Sequence, residues 1–146
     1  MTSPRSIRFD NGVTERLASY VARHPGRSSS SVAAQLVDEG LRAEEHPGVI
    51  FRDGPIGRRA TIVGGPDVWQ VIQALRSART SEPELDEHAV LDLVADNTGV
   101  APRLVRTAVD YWAAYPLEIE ALIEHADRVA AEHERASERR RGLLGA

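Results

Sequence analysis

The sequence predicts a mainly α-helical protein with short β elements, divided into two unequal units. Three observations carry that expectation. Apolar residues recur three and four apart through most of the chain, the pattern of helices with one buried face. Two β-rich runs, Val49–Phe51 and Ala60–Val63, flank the turn residues Asp53, Gly54, Pro55 and Gly57, which reads as a β-hairpin. Between these patterns the stretch "AEEHPG" at 43–48 breaks the helical periodicity. A chain of 146 residues has room for one ordinary domain or two small ones. The expected divisions are 1–44, 45–131 and a charged, mobile tail at 132–146.

The elements follow in order. Residues 5–9, "RSIRF", alternate in character and read as one short strand. Asp10-Asn11-Gly12 starts a helix that carries Val13, Leu17, Tyr20 and Val21 on one face. "HPG" at 24–26 stops it. The serine run 28–31 supplies N-caps for a second helix with Val32, Ala33, Leu36, Val37, Gly40 and Leu41 along its apolar side. After the hairpin, Gly64-Gly65-Pro66-Asp67 opens a helix with Val68, Trp69, Val71, Ile72 and Leu75 facing inward. "RTSEPELDE" at 79–87 reads as a loop. A helix follows from about Glu87 to Asp96, and Gly99 sits in the turn after it. The next helix starts near Pro102, because proline suits a first helical position. Pro116 begins the last. Its apolar stripe fades after Ala130, which predicts a frayed, solvated end.

Composition narrows the function classes. Hydrophobic residues make up 42% of the chain, enough for a core, and only 5% are aromatic. There is no cysteine, which excludes a disulfide framework and a thiolate metal site. No apolar run is long enough to span a membrane, and "MTSPRSIRFDNG" has no apolar signal core. The expectation is a cytoplasmic protein with no membrane partner. The net charge of −4 does not mark the whole chain as a nucleic-acid binder, but its distribution is uneven. Residues 1–31 hold Arg5, Arg8, Arg16, Arg23 and Arg27 against Asp10 and Glu15. Residues 84–98 hold Glu84, Asp86, Glu87, Asp92 and Asp96 with no arginine. Such asymmetry points to a basic contact surface at one end and a different partner elsewhere.

A lone five-residue strand is unstable, and some 40 residues seldom bury enough surface to stand alone. Ile7 and Phe9 lie on one face of the strand, Ser6 and Arg8 on the other. The apolar face can be buried if two copies pair their strands into an antiparallel ribbon over four helices. Ile7, Phe9, Val32 and Leu36 would form the dimer core. Ser6 and Arg8 would then appear twice on the outer face, and a two-stranded ribbon fits the DNA major groove.

On "SIRF", the helix after it and "GRSSSSVAAQLVDEGLR", residues 5–43 resemble the ribbon-helix-helix family of bacterial repressors and antitoxins. The resemblance implies an intertwined homodimer on double-stranded operator DNA. Ser6 and Arg8 would read base edges, and Arg5 would read bases or grip phosphate. The amides around Ser28, Ser29 and Ser30 would hold a phosphate at the positive end of the second helix. Pro4 departs from the family, which places a third base-reading side chain two residues before Ser6.

"LDLVADNTGVAPRLVRTAVDYW" has the outline of a helix-turn-helix, with Arg103 and Arg106 outward on its second helix as a second DNA or partner surface. The acidic helix before it opposes approach to phosphate. Two helices joined by a glycine turn are also common in any helical domain. Over about 49–123, "RDGPIGRRATIVGGPDVWQVI" and "GVAPRLVRTAVDYWAAYPLEIEALI" resemble a hairpin and helix-turn-helix domain of VapB-like antitoxins. Those are often encoded beside PIN-domain ribonuclease toxins. The shared closing phrase stands here as Val105, Ala108, Tyr111, Trp112, Tyr115, Pro116 and Glu118. The resemblance implies a ribonuclease toxin as partner. Arg139–Arg141 or the helix from Leu117 to about Ala131 would block its carboxylate-held metal.

Catalysis finds no support in the sequence. His125 and His133 stand eight apart, beyond the spacing that puts two ligands at one metal on a helix face. Gly64-Gly65-Pro66 lacks the lysine-serine of a phosphate loop. No catalytic residue, metal site or cofactor is expected. Two readings of different class stand side by side. One is an autorepressing DNA-binding antitoxin. The other is a protein–protein interaction module in which the ribbon only dimerises. In a variant of the first, the helix-turn-helix is the main DNA reader.

Overall fold

A computed structural model of the chain describes residues 3–145. It is mainly helical, with six helices and one two-stranded antiparallel sheet among those residues. The chain divides into two compact units between Glu44 and Glu45.

The first unit holds α1 (Asn11–Ala22) and α2 (Ser29–Glu45), the latter running to the unit boundary. Asp10 starts α1 by accepting the Val13 N–H at 2.8 Å, while its carbonyl accepts the Thr14 hydroxyl at 3.0 Å. His24 closes α1: its ring stacks on Tyr20 with centroids 4.1 Å apart, and its Nδ1 lies 2.7 Å from the Tyr20 carbonyl. One expectation does not hold in the single chain. Residues 3–10 form no strand, and no described segment pairs with them. A strand exists only through a neighbour's hydrogen bonds, and no described residue supplies them. Burial is correspondingly thin. α1 buries no residue fully, and α2 buries only Val32 and Glu39.

The second unit is built differently. β1 (Val49–Gly54) and β2 (Gly57–Ile62) form the hairpin, with Val49 opposite Ile62 and Phe51 opposite Ala60. Four helices follow: α3 (Val68–Ser81), α4 (Glu87–Thr98), α5 (Pro102–Ala114) and α6 (Pro116–Leu144). Val49, Ile62, Val71, Val94, Val105, Tyr111 and Ile119 are fully or almost fully buried in one core. Gly48 shows how tightly the hairpin enters that core. Its φ is +106°, and a Cβ there would lie 2.7 Å from Leu104 Cδ2. Gly99 ends α4 in the left-handed region at φ +72°, where other residues are strained.

Asp67 ties the hairpin to α3. Its carboxylate accepts the Thr61 hydroxyl at 3.0 Å, the Arg59 Nε–H at 2.5 Å and the Trp69 indole N–H at 3.2 Å. Its own N–H donates to Gln70 Oε1 at 2.9 Å, the return bond of a capping box. The turn expected at 64–67 is therefore also the polar joint of the unit. Trp69 and Leu75, expected on the buried side of α3, are only partly buried at the margin of the core.

Two boundaries differ from expectation. α3 continues to Ser81, into the segment read as a loop. α6 continues to Leu144, so 132–144, expected as a separate tail, is the exposed far part of one 29-residue helix. The apolar stripe does end near Ala130. Ala, Glu, Arg and Leu nevertheless have high intrinsic helix propensity, and they extend the helix without a face to bury.

Candidate nucleic-acid interface

The N-terminal segment presents Arg5, Ser6 and Arg8 to solvent. None of the three makes a hydrogen bond or ion pair with another described residue. Ile7, between them, is 68% exposed, while Phe9 turns into a groove of about 700 Å³ against α1 and α2. Val13, Leu17, Tyr20, Leu36 and Val37 line that groove with Phe9. Its lining is mostly apolar, with Glu15, Arg16, Ser19 and Arg23 as its polar part, and no described residue fills it.

The four residues expected as a dimer core thus have different fates. Phe9 and Leu36 face the groove, Ile7 faces solvent, and Val32 is already covered within the single chain. The apolar residues α2 leaves bare are Val37 at 47% exposure and Leu41 at 59%. Val32, one turn from the cap, is almost fully buried instead.

At the start of α2, Ser28 is the cap. Its Oγ accepts the Ser31 N–H at 3.1 Å, and its carbonyl accepts the Val32 N–H at 3.0 Å. Ser29 and Ser30 are exposed in the first turn, where backbone N–H groups have no acceptor within the helix. The dipole's positive end and these amides together favour an anion. Sequence reading missed the neighbouring polar row. Arg27 donates to Gln35, and Gln35 Nε2 donates to the buried Glu39 at 3.2 Å. The four-residue spacing from Gln35 to Glu39 was the available signal.

Arg103 and Arg106 both lie exposed on α5, as expected, and Arg106 is paired with Glu87 of α4. The acidic helix neutralises one of the two arginines that a major-groove helix would need. Elsewhere in the unit Arg76 pairs with Glu120 through both nitrogens, Nη1 to Oε2 at 3.0 Å, and stacks over Trp112 at 5.7 Å. Hydrogen bonds from Arg76 and then from the Trp112 indole hold the Glu120 carboxyl down to about 2. The described residues contain no group of three or more His, Cys, Asp or Glu able to hold a metal. Among them no helix is long and apolar enough to cross a membrane.

No family model matches the chain, and no curated protein and no solved structure is found similar to it.

Proposed function

We propose that the protein is a homodimeric, DNA-binding transcriptional regulator that acts through its first 44 residues. The observation that carries this reading is a juxtaposition. An unpaired segment bearing Arg5, Ser6 and Arg8 leads into Phe9, which lines an unfilled, mostly apolar groove together with Val37, while α2 also leaves Leu41 bare. A second copy would supply what both lack. Its segment would complete a two-stranded ribbon, and its helices would cover the apolar face. The ribbon would read base edges through Ser6 and Arg8, with Arg5 on bases or phosphate. Each α2 start would clamp a phosphate through Ser28, Ser29 and Ser30.

The particular kind of regulator we infer is the antitoxin of a toxin–antitoxin pair that represses its own operon. The exposed half of α6, with Arg139, Arg140 and Arg141 near its end, supports a role in gripping an acidic ribonuclease site. The pairing of Arg106 with Glu87 argues against the helix-turn-helix as the main DNA reader.

The deciding experiment is a gel shift with the DNA upstream of the protein's own reading frame. Specific, salt-sensitive binding is expected, lost in Arg8→Ala while the dimer stays intact. Two copies of Arg8 at ~1–3 kcal/mol per base contact should cost at least tenfold in affinity. Unchanged binding by an intact Arg8→Ala dimer would move the reading to an interaction module. Co-purification with a neighbouring ribonuclease, lost when Arg139–Arg141 are replaced by alanine, tests the antitoxin half.

A further inference from the structure

A second groove, of about 740 Å³, opens between α3, α4 and α5. That lies within the roughly 300–1,000 Å³ of small-molecule sites. Its floor is apolar: Ile72, Leu75, Val90, Leu91, Val109 and Trp112. Its polar lining is dominated by Arg76, Arg79 and Arg106, with Glu87 the one carboxylate. This combination, a greasy floor under guanidinium groups, is not explained by packing alone.

The charges can be counted. Arg76 is matched by Glu120, and Arg106 is matched by Glu87. Arg79 has no carboxylate among the described residues; its Nη1 donates to the Leu85 carbonyl at 2.7 Å. The acids that follow α3, Glu82 and Glu84, are absent from the groove lining. Three arginines against two carboxylates leave one positive charge over the apolar floor. Trp112 is fixed in place, since its indole N–H donates to Glu120 at 2.9 Å and Arg76 covers its ring. The floor is therefore preorganised, which lowers the cost of binding.

We propose that this groove binds an apolar monocarboxylic acid, its carboxylate on Arg79 and its hydrocarbon body on Leu75, Val109 and Trp112. The single uncompensated charge sets the ligand's charge at −1. The absence of further free donors on the floor sets its body as hydrocarbon. Arginine suits the task because its planar fork meets a carboxylate with two hydrogen bonds. The site lies wholly in the second unit and does not depend on what the first unit binds.

Titration calorimetry on the full chain tests it, with octanoate, 1-naphthoate and the uncharged octanol as probes. The Trp69→Phe variant, which retains Trp112 as its one tryptophan, gives a fluorescence readout at the groove. Saturable binding of at least one acid is expected, with octanol weaker by at least about tenfold, the step that ~1.4 kcal/mol makes. Octanoate alone would assign a chain-shaped body, and naphthoate alone a ring. Arg79→Met should lose a similar factor with an unchanged melting temperature, Arg79→Lys should recover part of it, and Arg128→Met on exposed α6 should change nothing. Equal binding of acid and alcohol, no saturable binding of either acid, or full retention in Arg79→Met would overturn the proposal. Binding of an acidic amphipathic peptide with neither acid bound would overturn it in favour of a protein partner.

Discussion

Both units carry amphipathic helices of similar length, yet only one of them uses its apolar faces. In the second unit α3, α4, α5 and α6 close over a hairpin, and residues such as Ile62, Val105 and Ile119 lose all exposure. In the first unit α1 buries nothing fully and α2 leaves Val37 and Leu41 to solvent. The difference teaches that patterning alone does not make a core. An amphipathic face needs an opposing layer, and two helices with an unpaired segment do not provide one. The first unit has the surface of half a domain.

Val37→Asp should separate the two units most strongly. On a monomer surface such a change stays within about ±0.5 kcal/mol. Beneath a second copy it places an unpaired carboxylate at each of two equivalent positions, costing ~3–5 kcal/mol apiece. Sedimentation velocity should show the wild type as a dimer and the variant as a monomer, with DNA binding lost as well. A wild type that sediments as a monomer at every concentration would end the dimer reading.

Next in size is a cavity in the closed unit. Ile119 is fully buried, so Ile119→Ala should cost ~2–5 kcal/mol. Its effect should fall on a thermal transition that does not move with protein concentration. The first unit's transition should rise with concentration, as assembly-linked folding requires. One shared, concentration-independent transition in circular dichroism would contradict the contrast between the units.

Asp67→Ala is smaller and more local. It removes the acceptor of Thr61, Arg59 and Trp69 together, leaving a buried threonine hydroxyl unsatisfied. A loss of ~1–3 kcal/mol is expected. Faster amide exchange should appear in β2 and the first turn of α3, with little change in α6.

The helices of both units were legible because their ends carry local signals: Asp10, the serine run, Asp86, Gly99, Pro102 and Pro116. Each acts within one turn, so neighbours in sequence decide it. The split near residue 44 and the hairpin were legible for the same reason. What escaped depends on residues distant in the sequence. Asp67 reads as a turn residue until Thr61 and Arg59 are folded back beside it. The pairing of Arg106 with Glu87 joins residues 19 apart on two different helices. The strand read at 5–9 does not form in the single chain, where no described segment pairs with it. The far part of α6 is hidden from a reading of buried faces, because intrinsic propensity extends that helix without a face to bury.

The smallest expected effect separates packing from charge in the closed unit. Glu120 on α6 is held at about 2, below the ordinary 4.5, by Arg76 on α3 and then by Trp112. A carboxyl with a lowered folded value stabilises fully above its unfolded value and loses that contribution as pH falls through the folded one. The window is therefore from about 4.5 down to about 2. Glu120 is about a third exposed at 34%, so solvent screening limits the gain to ~1 kcal/mol or less. The gap in stability between wild type and Glu120→Gln should close across that window, and added salt should narrow it at neutral pH. A gap independent of both pH and salt would mean that the Trp112 hydrogen bond, not the arginine's charge, holds α6 to the rest of the unit.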